Sequence, residues 1–354
     1  MFRPPAQSGR PYPLCTGRFR AIFIDRDGDY GGATDMGVAV GTGLATSPFE
    51  GANGFWRWVQ MCEEGGIDSL WQTDTLVSRE PMLECMSVMA ALAGATCRLK
   101  FGMNVASVGL RDPLLLAKQC ATIDYLSEGR LLPAFGVGST RSADWKATGR
   151  PTEGRGRRTD EGLEIIARLW RGEEVSFEGE YYHYDRVSIS PLPCQDSLPM
   201  WIGGSSAAAI RRTARFGTGW QAAFETPEEA GRTVSAIKQA VQQAGRAIDP
   251  DHFGTGINFR FGGWEDEPVQ HAAKRFERVS GRDADSSFAV GGAEEIIARI
   301  RAFVNAGIYK FVLRPLSFGD DETLIQTRYL IDEVLPEVDR MNLEMQAAPA
   351  AGDD

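Results

Sequence analysis

The stretch LPMWIGGSSAAAIRRTARFGTGW, residues 198–220, contains the unit from which the fold is predicted. An apolar run ends in Gly203-Gly204-Ser205-Ser206, an Ala-rich segment follows, and Gly217 precedes a second apolar run. A glycine just past the end of a helix, with a short apolar run after it, is typical of a helix followed by a buried strand. The stretch therefore predicts strand, turn, helix and strand in succession.

The same pattern of helix, glycine and strand recurs along the chain, in CEEGGIDSLW, LSEGRLLPAFG and VNAGIYKFVL. Alternating strands and helices predict an α/β fold with a parallel sheet, and eight such units predict a closed (β/α)8 TIM barrel. A doubly wound open sheet is the alternative. The candidate strands are 37–44, 67–72, 99–105, 131–137, 200–203, 218–224, 253–261 and 309–315.

The remaining segments are arranged around this barrel domain, which is predicted to span residues 36–345. Residues 1–35, rich in Pro, Gly and Arg, predict an N-terminal extension, and residues 346–354 predict a disordered tail. The segment 171–199 is too long for a simple connection. It predicts an insertion before strand five, such as a hairpin.

Composition and charge narrow the classes of function. The 354 residues are 43% hydrophobic and 24% charged, with a net charge of -10, which disfavours a nucleic-acid surface. The dense basic cluster Arg155, Arg157 and Arg158 is expected at the end of a solvated loop, residues 139–158, that can act as a lid. No apolar run approaches the roughly 20 residues that span a bilayer. Six scattered cysteines, interpreted as reduced thiols, favour a cytoplasmic protein without a membrane partner.

Chemistry in such a barrel lies at the C-terminal ends of the strands. The predicted rim is rich in glycines, hydroxyls and amides, and Asp74 is its one carboxylate. No metal is expected, because the histidines and cysteines lack metal-binding spacing. Paired carboxylates for glycoside hydrolysis and a rim histidine for Ser-His-Asp chemistry are missing as well. A rim poor in acids and bases fits a large cofactor that supplies the reactivity.

The turn Gly203-Gly204-Ser205-Ser206 lies where a strand passes into a helix. A helix N-terminus offers unpaired N–H groups and a partial positive charge, so a phosphate is one possible occupant. A tight turn in which Ser205 or Ser206 only caps the helix is the other interpretation. At the similar junction Gly291-Gly292, the carboxylates of Glu294-Glu295 indicate a plain helix entry.

Three blocks of sequence resemble the luciferase-like monooxygenase superfamily of flavin- and deazaflavin-dependent oxidoreductases. The blocks are SVGLRDPLLLAKQCATIDYLSEGRLLPAFGVG (107–138), RRTDEGLEIIARLW (157–170) and PMWIGGSSAAAIRRTARFGTGW (199–220). They occur in the order and at the spacing found in that superfamily. The resemblance extends over residues 37–340 and is specific for the superfamily, but not for one reaction.

The resemblance implies a TIM barrel that holds reduced FMN or coenzyme F420 at its C-terminal mouth, with the phosphate at the N–H groups of Gly204 and Ser205. It also implies a non-proline cis peptide after strand three, at Ser107–Val108 or at the bond just before it. The cofactor-binding residues expected on this basis are Ser107, Val108, Gly136, Gly138, Ser139, Gly203, Gly204, Ser205 and Ser206.

Asp74 and Thr75 are the expected catalytic residues. Asp74 matches the acidic position that closes strand two in many relatives, although a turn or N-cap aspartate is the alternative. Thr75 stands where several deazaflavin enzymes have a histidine that acts on the substrate proton. This departure weakens the expectation of alcohol or sugar dehydrogenation with a histidine base.

Two reactions stay open on a small organic substrate: monooxygenation with FMNH2 and O2, and hydride transfer with F420. The alternatives are a non-catalytic flavin-binding barrel and, with less support, a metal-dependent barrel hydrolase. The expected partners are the small-molecule substrate and an electron donor, either a flavin reductase or an F420-reducing enzyme. A second copy of the chain in a homodimer is also considered.

Overall fold

A parallel barrel is the centre of the fold in the computed structural model, which describes residues 37–347. The predicted extension 1–35 and the predicted tail from residue 348 onward lie outside the described residues. The strands within the described range are β1 (Ala39–Leu44), β2 (Ser69–Gln72), β3 (Lys100–Met103), β4 (Ala106–Ser107), β5 (Ala134–Gly136), β6 (Val175–Glu178), β7 (His183–Val187), β8 (Trp201–Gly203), β9 (Gly219–Gln221), β10 (Phe253–Phe261), β11 (Phe288–Gly291) and β12 (Lys310–Pro315).

Within residues 37–347, the ring follows the order β3, β2, β1, β12, β10, β9, β8, β5 and β4, and its paired strands are parallel. β3 and β4 are two parts of one strand position. The ring is completed where the Phe101 N–H donates to the Arg130 carbonyl (3.0 Å) and the Leu132 N–H donates to the Phe101 carbonyl (2.8 Å). The eight predicted strands and the TIM barrel are therefore confirmed. β11, which the sequence pattern does not predict, pairs with β10 outside the ring.

Helices cover the outside of the barrel and begin at recognisable capping residues. Asp112 caps α3 by accepting from the Leu115 N–H (3.0 Å), with Pro113 in the first turn, as the sequence predicts. The helices of the described range are α1 (Ala52–Glu64), α2 (Cys85–Ala95), α3 (Pro113–Ser127), α4 (Ala143–Ala147), α5 (Arg155–Trp170), α6 (Ala207–Phe216), α7 (Pro227–Gln243), α8 (Glu267–Ser280), α9 (Ala293–Val304), α10 (Gly319–Tyr329) and α11 (Leu335–Ala347).

Two tryptophans fill the inside of the barrel. Trp71 and Trp201 form a buried cluster with Ala134 and Val312. Neighbouring strands carry glycines where these rings lie: a Cβ on Gly219 would come within 2.4 Å of the Trp201 ring. Because any larger residue would displace a packed indole, the glycines of the strands shape the barrel interior.

The segment before strand five contains the predicted hairpin. β6 and β7 are antiparallel, with Phe177 opposite Tyr184. Glu161 of α5 holds the turn, because its carboxylate accepts from the backbone N–H groups of Glu180 (2.8 Å) and Tyr181 (2.9 Å). The insertion is thereby anchored to the helix that precedes it.

Two expectations about the chain surface are wrong. The basic cluster Arg155 to Arg158 is the first turn of α5 rather than part of a loop. α4 lies within the segment 139–158, whose role as a lid stays a prediction. The helical periodicity of α5 therefore begins earlier than the apolar pattern indicates. Cys97 is disulfide-bonded, so the interpretation of all cysteines as reduced thiols fails at this position. The free thiols among the described residues are Cys62, Cys85, Cys120 and Cys194.

The last described helix extends beyond the predicted barrel domain. α11 continues to Ala347, two residues into the predicted tail. Within residues 37–347, no helix combines the length and the apolar character needed to cross a membrane.

Candidate functional site

Two glycine turns lie side by side at the C-terminal rim of the barrel. β5 and β8 are paired, with Phe135 opposite Ile202. The turns that follow them, Gly136-Val137-Gly138-Ser139 and Gly203-Gly204-Ser205-Ser206, therefore leave the sheet next to each other. Ser107 of β4 is paired with Gly136, so the structure brings together eight of the nine residues expected to bind the cofactor.

The side chain of Val105 lies between these turns. A Cβ on Gly136 would be 2.7 Å from Val105 Cγ2, and a Cβ on Gly203 would be 3.2 Å from Cγ1. Val105 follows a non-proline cis peptide bond, Asn104–Val105. The cis bond expected at Ser107–Val108 or just before it is therefore placed wrongly. Ala106 and Ser107 already form the β4 ladder with β5, and the break in the strand falls before them.

The turn after β8 combines a cap with unpaired donors. The Ser206 hydroxyl accepts from the Ala209 N–H (3.2 Å) and caps α6. Gly204 has φ 102°, which favours glycine, and only the Ala209 Cβ (3.6 Å) would lie near an added Cβ. Ser205 is exposed, and neither its N–H nor its hydroxyl has a partner among residues 37–347. Ser206 thus caps the helix, while Ser205 keeps its donors free.

The turn after β5 is positioned by a tryptophan and an arginine. The Trp145 indole donates to the Ser139 carbonyl (2.9 Å), and the Ser139 hydroxyl accepts from the Arg141 N–H. Gly138 has φ 70°, and its added Cβ would be 3.0 Å from the Ser107 hydroxyl. Arg155 donates to the Gly138 carbonyl (3.3 Å), which brings positive charge to the edge of the two turns.

Asp74 is the centre of a buried ion-pair cluster. Its side chain is 2% exposed and accepts two hydrogen bonds of 2.7 Å from the Arg111 guanidinium. It also accepts from the Ser107 N–H (2.9 Å) and the Cys85 thiol (3.4 Å). Arg111 makes a further ion pair with Glu84 (3.1 Å). A carboxylate with four donors on its two oxygens is a structural anchor of the rim more than a free base.

The charges of the cluster support one another. Burial opposes the charged form of Arg111, but the hydrogen bonds and the charge of Asp74 raise its pKa. Burial also opposes the charge of Glu84, yet hydrogen bonds from Ser87, Met86 and Arg111 lower its pKa. Burial and the nearby Asp74 raise the pKa of the Cys85 thiol. Asp74, Glu84 and Cys85 are close enough to hold a metal ion, but the guanidinium already binds their ligand atoms.

Two predicted site residues lie apart from the glycine turns. Thr75 follows β2, is partly exposed and makes no side-chain hydrogen bond within the described range. Val108 is fully buried, and a Cβ on Gly162 of α5 would be 2.7 Å from its Cγ1. Val108 thus packs against α5, and Val105 occupies the place between the turns.

Three polar side chains near the rim are not among the site residues predicted from the sequence. Asn104 Nδ2 and Gln221 Nε2 are buried without a hydrogen-bond acceptor. The side chain of Arg314, at the end of β12, has no hydrogen bond or ion pair within residues 37–347. Strand alternation identifies inward-facing positions, but only the three-dimensional contacts reveal that these donors are unpartnered.

Two further features lie away from the turns. His271 of α8 is 3.6 Å from Glu80, and its ring centroid is 5.8 Å from that of Phe318, so this histidine lies on an outer helix. A cavity of about 350 Å³ is lined by Val38, Gly66, Ile331 and their neighbours. It lies where β1 begins, at the opposite end of the barrel from the rim.

The sequence is similar to a known protein family and to individual proteins of known sequence. The model of the luciferase-like monooxygenase family matches residues 34–262. An uncharacterized protein of Mycobacterium tuberculosis is 34% identical over 168 residues, which is 47% of this chain and 57% of that protein. The F420-dependent glucose-6-phosphate dehydrogenase of Nakamurella multipartita is 30% identical over 198 residues, 53% of this chain and 57% of that enzyme. These matches span little more than half of the curated relatives' length.

Solved structures share the fold at low sequence identity. An F420-dependent secondary alcohol dehydrogenase in complex with an F420–acetone adduct has a TM-score of 0.73 at 19% identity, covering 86% of this chain and 99% of its own. The oxygenating constituent of 3,6-diketocamphane monooxygenase from Pseudomonas putida, in complex with FMN, has a TM-score of 0.69 at 17% identity. It covers 85% of this chain and 98% of its own.

Proposed function

Because the chain belongs to the luciferase-like monooxygenase family, we propose that it is an oxidoreductase that binds reduced FMN or F420 at the C-terminal rim. The observation that carries the proposal is the pair of adjacent turns after β5 and β8, where Gly136 and Gly203 expose their backbone and leave room only for the side chain of Val105. A flat ring system needs such close access to the backbone. Relatives and neighbours whose names carry F420 or FMN support the same assignment.

The residues of the two turns fit the cofactor's needs. Val105, Gly136 and Gly203 would back the ring, and the free N–H of Ser205 at the start of α6 would bind its phosphate. Arg155, beside Gly138, adds a positive charge near this anion. α6 has no acidic residue in its first turn, so nothing in the helix competes with the phosphate.

The reaction needs little acid–base chemistry from the chain itself. Bound FMN would supply oxygenation chemistry, and bound F420 would supply hydride transfer. Trp71 and Trp201 close the barrel beneath the rim and exclude water from below. Asp74, held by Arg111, positions the Ser107 backbone beside the turns rather than moving a proton.

We also propose domain boundaries, an electron donor and a location for the protein. We assign the catalytic barrel to residues 36–345, with residues 1–35 as an extension and 346–354 as a tail. A flavin reductase or an F420-reducing enzyme would supply the electrons. The enzyme would act on a small organic molecule in the cytoplasm, as a monomer or a homodimer.

Parallel fluorescence titrations with FMN and F420 test the proposal. Wild-type protein is expected to bind at least one of them. Ser205→Asp places a carboxylate at the phosphate site and should weaken binding by about 100-fold, whereas the neutral isostere Ser205→Asn should retain it. Binding of neither cofactor, or equal effects of the two substitutions, would contradict the proposal. Substrate-dependent O2 uptake with FMN, or hydride transfer with F420, then identifies the reaction; neither one, despite binding, would indicate a non-catalytic barrel.

A further inference from the structure

The side chain of Arg314 lies inside the barrel. Arg314 and Val312 are two residues apart on β12 and so face the same side, and Val312 packs in the interior with Trp71 and Trp201. The guanidinium lies over Gly256 of β10, where an added Cβ would come within 2.5 Å of Nη2. The glycine therefore leaves the space that the guanidinium occupies.

This arginine has no counter-ion among the described residues, unlike its neighbours at the rim. Arg111 is paired with Asp74, and Arg260 is paired with Asp266 (2.8 Å) and with Glu322. Within residues 37–347, no group accepts a hydrogen bond from the Arg314 guanidinium. Burial lowers its pKa to about 10, so the side chain still carries its charge at neutral pH. A partly buried and uncompensated cation gains most from an anionic ligand.

A second unpartnered donor lies beside it. Gln221 is 2% exposed, and its Nε2 has no acceptor in the described part of the chain. Its Oε1 lies over Gly254, 2.6 Å from an added Cβ. Gly254 and Gly256 are two residues apart on β10, a spacing of about 7 Å, so the amide and the guanidinium occupy adjacent interior positions. Both groups offer N–H donors into the barrel.

We propose that Arg314 and Gln221 bind a carboxylate of the substrate, so that the enzyme acts on an apolar monocarboxylic acid. The inference rests on the proposed function and names its substrate class. One uncompensated charge matches a monoanion better than a phosphate, and a guanidinium binds a planar carboxylate through two parallel hydrogen bonds. Phe224, Trp264 and Phe318 follow β9, β10 and β12 and are exposed, which offers an apolar collar for the rest of the molecule.

Titration with benzoate and with its neutral counterpart benzamide tests the inference. Binding is read from tryptophan fluorescence, since Trp71 and Trp201 lie beneath the site, and from calorimetry. Wild-type protein, with and without oxidised cofactor, is expected to bind benzoate at least tenfold more tightly than benzamide. Arg314→Met should remove this preference, and Arg314→Lys should keep only part of it. Arg301→Met, at an exposed arginine of α9, should leave it unchanged.

Other outcomes separate this inference from the proposed function. Equal binding of benzoate and benzamide by the wild type would overturn the carboxylate site even if no variant folds. Unchanged preference in Arg314→Met would overturn it as well. If Arg314→Met instead weakened only the reduced cofactor, Arg314 would serve the anionic ring and the inference would fail. A benzoate preference in a protein that binds neither FMN nor F420 would support the carboxylate site while contradicting the proposed function.

Discussion

Two strands pass into helices through a pair of glycines, β8 into α6 and β11 into α9, and the junctions differ in their anions. At the second, the Glu295 carboxylate accepts from the Gly292 N–H (2.7 Å) and so occupies the helix N-terminus. At the first, the helix begins with Ala207 and Ala208, and no acidic residue lies in its first turn. The N-terminus of α9 is thus bound by a carboxylate of its own helix, whereas the N-terminus of α6 is available to a ligand.

Asp74 is a carboxylate whose main partner is a side chain, Arg111, whereas Glu295 is bound by a backbone N–H. Asp74→Asn leaves the buried Arg111 without its main counter-ion, so the free energy of unfolding is expected to fall by about 3–5 kcal/mol. Asp68→Asn is the control, because Asp68 and Lys100 form an exposed pair (3.1 Å) worth less than about 1 kcal/mol. Urea denaturation measures both values. A stable Asp74→Asn variant without activity would instead make Asp74 catalytic.

Adding a side chain at a junction glycine should weaken cofactor binding at the β8 junction but not at the β11 junction. Gly203→Val places methyl groups against Val105 and into the space proposed for the ring, so the affinity for FMN or F420 should fall by about 100-fold, or about 2.8 kcal/mol. Gly292→Ala, at φ -100°, should leave the affinity unchanged. Fluorescence titration compares the two. Equal losses would mean that the β8 junction has no special role.

A carboxylate in the first turn of α6 should make the first junction resemble the second. Ala208 is exposed, so Ala208→Glu is accommodated and places a negative charge near Ser205. The affinity for the cofactor should fall by about tenfold, whereas the neutral Ala208→Gln should change it little. The difference should shrink in high salt, because exposed charges are screened. A loss with both variants would point to shape rather than charge.

The smallest effect is expected at the second junction. The hydrogen bond from the Gly292 N–H lowers the pKa of Glu295 below its usual 4.5. A carboxylate whose folded pKa is depressed stabilises the fold above its unfolded pKa, and the gain is lost as the pH falls through the folded pKa. Glu295→Gln should therefore lower the Tm slightly at pH 7 and not at pH 2.5. A constant difference across this range would exclude the carboxylate as its cause.

The barrel is predictable from sequence because each unit carries its own signals. Gly217 marks the end of α6, and Asp112 with Pro113 marks the start of α3, so element order follows from local chemistry. Strand β11 escapes this reasoning, because Gly291-Gly292 is interpreted only as the entry to α9.

The site is less predictable because its chemistry depends on partners far apart in the chain. The spacing of 37 residues between Asp74 and Arg111 gives no sign that they pair. Val105 and Val108 are the same residue type in neighbouring positions, so the sequence does not distinguish their roles. Val105 lies between the glycine turns, whereas Val108 packs against α5. The lack of a partner for the Arg314 side chain within residues 37–347 is visible only in three dimensions.

Binding of FMN and of riboflavin, which lacks the phosphate, tests the central claim most directly. The account predicts that the wild type binds FMN about 100-fold or more tightly than riboflavin, because the free Ser205 N–H and the N-terminus of α6 bind the phosphate. It predicts a similar loss when F420 is replaced by the deazaflavin without its phosphate-bearing tail. In Ser205→Asp both differences should collapse. Equal affinity with and without the phosphate in the wild type would contradict the account.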